Sequence, residues 1–240
     1  MTTKRNGPQK GAVGPTDKPS AGYVNEDSSS SIAHQVPSTP LRVSMYVDGF
    51  NLYHGMHSRF QRRYLWLDLR ALATKLLKED QELGEVHYFT ARMRGGGDSA
   101  ARQAEYLGAL RATGVNVVEG RFQEKHVQCR SCQTQWLSYE EKESDVSLSV
   151  SLVEHAAMDK FDVALLLTGD SDMCPAVRAV RRLSPQARVI AVFPPARTSG
   201  DLRRTAHGSM QLGQAPLRQS QLPEAVETPK RTYERPVHWK

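Results

Sequence analysis

The sequence predicts a three-layer α/β fold: a mostly parallel central sheet with helices on both faces. Three observations carry this reading. Short apolar runs recur along the chain, separated by stretches with helical spacing of apolar residues. The run at residues 163–167, Val-Ala-Leu-Leu-Leu, is continuously apolar, as a strand buried on both faces must be. Carboxylates stand just after two such runs, Asp48 after residues 43–47 and Asp170 with Asp172 after residues 162–169. Open α/β sheets place their active sites at the carboxyl ends of their strands.

The elements follow in order. Residues 41–47 read as a first strand and residues 50–57 as a short helix or turn beside it. Residues 67–77 space Leu69, Leu72, Leu76 and Leu77 as one helical stripe. Residues 85–91 form a second strand, and residues 99–112 a helix with Asp98 as its N-cap and Gly114 near its stop. Residues 115–122 make a third strand, followed by an irregular segment at 126–136. Residues 144–158 form a helix with Val146, Val150, Val153 and Ala157 on one stripe. The central strand at 163–167, a helix at 175–183, a strand at 188–193 and a short helix at 201–207 complete the pattern. Right-handed crossovers then bring Asp48, the loop at 92–98 and residues 168–172 to one rim of the sheet.

The expected domain spans residues 40–212, with a Cys-containing excursion at about 123–138. Residues 1–39 are rich in Ser, Gly, Pro, Lys and Asn, too polar to offset the entropy of ordering, and are expected to be disordered. Residues 213–240 are read as a second, basic disordered tail. The net charge of +6 suits either an anionic partner or simple solubility. No apolar run approaches the roughly 20 residues needed to span a bilayer, and no apolar stretch follows the basic N-terminus as in a signal peptide. Three cysteines make no disulfide framework, so a reducing, cytoplasmic setting and no membrane association are expected.

The candidate chemistry lies in Asp48, Asp145, Asp170 and Asp172. Converging carboxylates repel unless a cation or a shared proton offsets them, which points to a Mg²⁺ or Mn²⁺ site and metal-assisted phosphate chemistry. Each has a plainer reading. Asp48 can cap the next helix, Asp172 or Ser171 can cap the helix near Pro175, and acids at the start of a helix, such as Asp145, are favoured by its dipole. Asn51 can return to the Asp48 face as a neutral oxygen ligand. Thr168 and Ser171 can hydrogen-bond a phosphate or hold a carboxylate, and Lys142 can contact Asp145 or a phosphate.

The runs Tyr46-Val47-Asp48-Gly49-Phe50-Asn51-Leu52, Glu141-Lys142-Glu143-Ser144-Asp145-Val146 and Leu167-Thr168-Gly169-Asp170-Ser171-Asp172 occur in an order that resembles the NYN domain family, PIN-like relatives of the LabA-type proteins. The resemblance covers residues 41–212. It implies a PIN-like Rossmannoid fold and a Mg²⁺- or Mn²⁺-dependent endoribonuclease, with RNA as partner and Asp48, Asn51, Asp145, Asp170 and Asp172 forming the acidic site. Some members of the family act as regulators. An RNA-binding protein that keeps the fold and cation site without efficient turnover is therefore the alternative. A haloacid-dehalogenase type phosphatase fits poorly, because Phe50 stands where that chemistry wants a second Asp.

Arg92 and Arg94, with the glycines at 95–97, sit on the same expected rim and suit phosphate contacts, or else form a plain surface loop. His54 and His57 are either proton relays or packed side chains. Cys129 and Cys132 have the two-residue gap of a zinc knuckle, with His126 as a third candidate ligand. A structural Zn²⁺ wants four ligands and the chain has no second Cys pair, so a reduced pair in a small β excursion is the competing reading.

Overall fold

The structure is a computed structural model, and its described residues are 39–93, 97–129 and 131–239, without the side chains of 125 and 138–141. The segment 1–39 expected to be disordered lies, but for its last residue, outside the described residues, as does Arg94.

The centre of the sheet follows from its most apolar runs. Strand β1 (Leu41–Asp48) lies between β2 (Gln81–Ala91) and β5 (Val163–Leu167), parallel to both. The register sets Asp48 opposite Phe89 and Val47 opposite Leu167. Side chains alternate across a strand, so Val43, Met45 and Val47 enter one core while Tyr46 enters the other. All five residues of β5 are buried, as its continuous apolar run requires.

The full sheet has seven strands in the order β4-β3-β2-β1-β5-β6-β7. The remaining strands are β3 (Asn116–Gln128), β4 (Gln135–Lys142), β6 (Arg188–Phe193) and β7 (Gly208–Gln211). Every neighbouring pair is parallel except β3 and β4. One face carries α1 (Gly49–Phe60), α2 (Leu69–Leu76) and α3 (Asp98–Ala112). The other carries α4 (Ser144–Ala157), α5 (Cys174–Leu183) and α6 (Gly200–Thr205). The chain winds outward through β2 and β3, returns to lay β5 beside β1, and winds outward again through β6 and β7. The gap between the carboxyl ends of β1 and β5 is thus the topological switch point, where doubly wound sheets bind their ligands.

Local chemistry explains the boundaries. Asp68 caps α2 by accepting from the N–H groups of Arg70 and Ala71 at 2.9 and 3.0 Å. At the amino ends of β1 and β5 the Arg42 guanidinium holds Asp162 at 3.0 Å and keeps that carboxyl below its ordinary range.

Three expectations need correction. The stripe of α4 that faces the core is Leu148, Leu152 and Ala156, while Val146 and Val150 are 66% and 56% exposed. Both stripes have i, i+4 spacing, and four valine or alanine positions in a row mislead when the longer leucines take the buried face. The segment read as irregular at 126–136 is largely a regular arm: β3 continues to Gln128 and pairs antiparallel with β4, Phe122 opposite Glu141 and Gln128 opposite Gln135. Its period-2 signal is hidden because most of its side chains face solvent.

The third correction concerns the segment read as a tail at 213–240, whose described residues, 213–239, are ordered. They form α7 (Gln214–Gln219) and a hairpin of β8 (Ala225–Glu227) and β9 (Thr232–Glu234). Leu217, Leu222, Val226 and Trp239 are buried in the core that α1–α3 cover. The backbone ties in as well: Asp68 N–H donates to Ser220 O at 2.8 Å, Leu222 N–H to Trp66 O at 3.0 Å, and the Trp66 indole to Pro223 O at 2.7 Å. These four apolar residues have no common period, so composition alone reads the segment as a tail.

Candidate acidic site at the switch point

Two loops meet at the switch point and are stitched together by side chains of the first and third motifs. Asp48, only 7% exposed, ends β1 and caps α1 by accepting the Asn51 N–H through Oδ1 at 2.9 Å. Its Oδ2 accepts the Thr168 hydroxyl at 2.9 Å. The Thr168 Oγ1 in turn accepts the Asp170 N–H at 3.1 Å. Asn51 spends its Oδ1 on the Gly169 N–H at 2.9 Å. Asn51 is therefore a clamp between α1 and the β5 loop, a different use from the neutral ligand foreseen. Thr168 holds a carboxylate, one of the two roles foreseen.

Asp170 accepts the Asp172 N–H at 2.9 Å and so caps a 3-10 turn, Ser171–Met173, that leads into α5. The cap expected from Asp172 or Ser171 on the helix near Pro175 is not made: α5 starts from Met173 with no side-chain cap, and Asp170 caps the 3-10 turn before it. Ser171 and Asp172 are exposed and line a shallow depression with Arg178 and Arg204. Asp145 is the second residue of α4, and Lys142, half-buried, ends β4 just before that helix.

Electrostatics join the four carboxylates. Burial pushes the Asp48 carboxyl up to about 6, against the opposing effect of its two hydrogen bonds, and the charges of Asp145 and Asp170 push it further. Partial burial likewise raises Asp145, with added repulsion from Asp170 and Asp172. No lysine or arginine forms an ion pair with any of the four among the described residues. Nor, among those residues, do any three His, Cys, Asp or Glu side chains form a compact ligand cluster. A hexahydrated-type divalent cation needs no such cluster, because Mg²⁺ keeps several waters and is held by one or two carboxylates. The donor set fits it: hard oxygens and surplus negative charge.

The glycines here are explained by close approach. A Cβ on Gly49 would lie 2.6 Å from the Tyr88 Cζ and 2.7 Å from the Phe89 carbonyl oxygen. The sequence suggested a sharp turn at Gly49. The observed need is space beneath β2, since Asp48 can cap α1 only if α1 starts this close to the sheet. Gly49→Ala is expected to cost about 1–3 kcal/mol, the scale of overpacking a buried contact; the shift of a urea unfolding midpoint measures it, and an unchanged midpoint would contradict this contact.

Sequence reading missed Arg197. A Cβ on Gly169 would lie 2.9 Å from the Arg197 Cβ and 3.3 Å from Asn51 Oδ1, so this arginine packs against the β5 loop beside the clamp. It also helps burial hold His54 below its ordinary pKa. The signal available was position: Arg197 follows β6, on the same carboxyl rim. His54 and His57 sit on α1 and stack with its aromatics, Phe50 with His54 at 6.4 Å and Tyr53 with His57 at 5.7 Å. Arg92, expected on phosphate, lies 3.9 Å from Glu119, which Arg111 also engages.

Cys129 and Cys132 lie at the tip of the β3–β4 arm as free thiols. The Gln133 N–H donates to Cys129 O at 3.0 Å, and the Cys132 thiol to Thr134 Oγ1 at 3.2 Å. Hydrogen bonding with Thr134 lowers Cys132 to about 7. Among the described residues no third ligand joins the pair; His126 stands in the ladder opposite Leu137, with its side chain exposed.

Comparisons with known proteins bear on the family and the fold. A model of the NYN domain matches residues 42–212. The chain is 29% identical over 250 residues to 6-hydroxy-3-succinoylpyridine 3-monooxygenase HspA of Pseudomonas putida (strain DSM 28022 / S16), a match covering 85% of this chain and 77% of that protein. The crystal structure of VPA0982, a protein of unknown function from Vibrio parahaemolyticus, superposes with a TM-score of 0.53 at 17% identity, over 74% of this chain and 96% of the other. At that identity the likeness speaks for the fold alone.

Proposed function

Because the chain belongs to the NYN domain family of the PIN-like nuclease superfamily, we propose that it is a Mg²⁺- or Mn²⁺-dependent endoribonuclease acting at the switch-point carboxylates. One observation carries this reading: beside the carboxyl ends of β1 and β5, the charges of Asp145 and Asp170 raise Asp48, and those of Asp170 and Asp172 raise Asp145. The residues foreseen as the acidic site, Asp48, Asp145, Asp170 and Asp172, would hold the cation. Asp145 and Asp172 have oxygens not engaged in hydrogen bonds, and each oxygen of Asp48 and Asp170 that does accept a hydrogen bond keeps a second lone pair.

A bound divalent cation would lower the pKa of a coordinated water and offset charge developing on a phosphodiester. The protein supplies placement. Thr168 and the Asn51 N–H fix both oxygens of Asp48, and the Asn51 amide fixes the β5 loop that carries Asp170. Arg197, packed beside the β5 loop, would offer a cation to a substrate phosphate, a role that Arg92, engaged near Glu119, is less free to fill. His54, held below its ordinary pKa, is neutral near pH 7 and can accept a proton.

The test is cleavage of a labelled single-stranded RNA by the whole chain with Mg²⁺, Mn²⁺ or EDTA, beside Asp170→Asn. Cleavage that needs the cation and is lost in the variant is the expected result. RNA bound but left intact would favour the regulatory alternative. RNA neither bound nor cut would overturn both, and small-molecule chemistry of the kind named for the Pseudomonas putida relative would take their place.

A further inference from the structure

Beside the acidic site, on the α1–α3 face of the sheet, lies a chamber of about 290 Å³ that shares His54 with the nuclease reading and otherwise lies outside it. Its walls include Phe50, Leu52, Tyr88, Tyr106, Phe122 and Trp239. Trp239 comes from the C-terminal segment beyond the family match and packs on Tyr106 with ring centroids 5.7 Å apart. The chamber is thus completed by a part of the chain outside the shared domain.

Among the described residues its charged lining has one sign. Arg62 and Arg102 line it, and no described Asp or Glu does. Neither guanidinium has a carboxylate partner among the described residues. Arg62 is exposed; Arg102 is half-buried, with a bond from Nη2 to Ser99 Oγ at 2.9 Å. Two guanidinium groups without a carboxylate beside them favour an anion at this mouth. His54, also in the lining, sits below its ordinary pKa and adds no positive charge near neutrality.

Two other polar groups are partly engaged. Gln103 donates to Ala91 O at 2.9 Å and accepts the Met93 N–H at 2.7 Å. The Tyr106 hydroxyl donates to Leu67 O at 2.9 Å. Thr90, 2% exposed, adds a hydroxyl to the lining.

We propose that this chamber binds a small planar aromatic carboxylate, its ring against the aromatic walls and its anion on Arg102 and Arg62, with Thr90 as an added hydrogen-bonding group. A nucleobase suits it less well. A neutral base edge would leave the two guanidinium charges without an anion. A ring with a single anionic end loses little on entry. The inference stands apart from the nuclease reading, which uses the carboxylates on the other side of Asp48.

The experiment titrates the whole chain with 3-phenylpropionate, one ring and one anion, and reads binding by calorimetry and tryptophan fluorescence. Saturable one-site binding is expected, and the uncharged 3-phenylpropanamide and Arg102→Ala should each weaken it about tenfold, the scale of one charge-assisted hydrogen bond. Arg102→Lys should fall between, because lysine keeps the charge and loses the fork. Asp170→Asn should bind as the parent does, so that failure of the nuclease reading and failure of this one are separable. Three results would overturn the proposal: no saturation, equal binding of acid and amide, or tighter binding of cytidine or adenosine monophosphate through the same arginine.

Discussion

Replacing Asp48 with Asn is expected to abolish phosphodiester cleavage and, in metal-free buffer at pH 8, to make the protein harder to melt. Both effects come from the same burial. The carboxyl is pushed from 3.8 to about 6, chiefly by desolvation. A group whose folded pKa lies above its unfolded value prefers to be protonated in the native state. Its ionisation therefore opposes folding fully above pH 6, progressively less between 6 and 3.8, and not at all below. A shift of this size corresponds to at most about 3 kcal/mol. Asn keeps an acceptor for the Asn51 N–H but offers an amide where Thr168 needs an acceptor, which returns about 1 kcal/mol. The net gain at pH 8 is about 1–2 kcal/mol, a rise of several degrees in Tm. Cleavage should fall about a hundredfold or more, the scale of removing one electrostatic group from an active site. The paired measurement is Tm at pH 8 and pH 4, without metal, beside RNA cleavage. A lower Tm for the variant at pH 8, or a difference that persists at pH 4, would mean that Asp48 is not strained by burial. Full cleavage would remove it from the site.

The parts legible in the sequence are those whose signal is local and repeated. The five residues of β5 could be bounded because a doubly buried strand has no polar interruption, and the aspartates after β1 and β5 then fell on the carboxyl rim. What each residue does there was less legible. Asn51 looked like a ligand and is a clamp, because its partner is a backbone N–H 118 positions away that no spacing rule can supply. Asp170 and Asp172 are each compatible with a cap or a ligand by type, and only the turn geometry assigns the cap to Asp170. The misread face of α4 has the same origin. Leu148 and Val150 are both apolar, and the choice between them is made by the sheet beneath, which the helix's own sequence does not contain. Arg197 and the chamber escaped notice because they depend on pieces that meet only in three dimensions, a loop after β6 in one case and the chain's last residues in the other.

Ending the chain at Leu212, where the family match stops, is expected to leave the domain unable to fold stably, and this prediction separates the two readings of the C-terminal segment most sharply. A solvated basic tail would leave unfolding untouched on removal and cost only some non-specific affinity for RNA. The observed segment buries Leu217, Leu222, Val226 and Trp239 against α2, α3 and the loop at residues 65–67. Loss of a buried Leu side chain costs about 2–5 kcal/mol and of a buried Trp about 3–5. Removing all four therefore exceeds most of the 5–15 kcal/mol that holds a typical domain together. Truncation also strips the acceptor from the fully buried Trp66 indole, now on Pro223 O, and from the Asp68 N–H, now on Ser220 O. Each orphaned donor adds about 1–3 kcal/mol. Far-UV circular dichroism with a urea titration of the 1–212 chain makes the measurement, with Trp239→Ala in the full chain as the graded case. The single substitution should lower stability by about 3–5 kcal/mol and still fold, whereas the truncated chain should show no cooperative transition. A truncated chain that melts within a few degrees of the parent would show that the segment rests on the core without supporting it, and would return the domain boundary to Leu212.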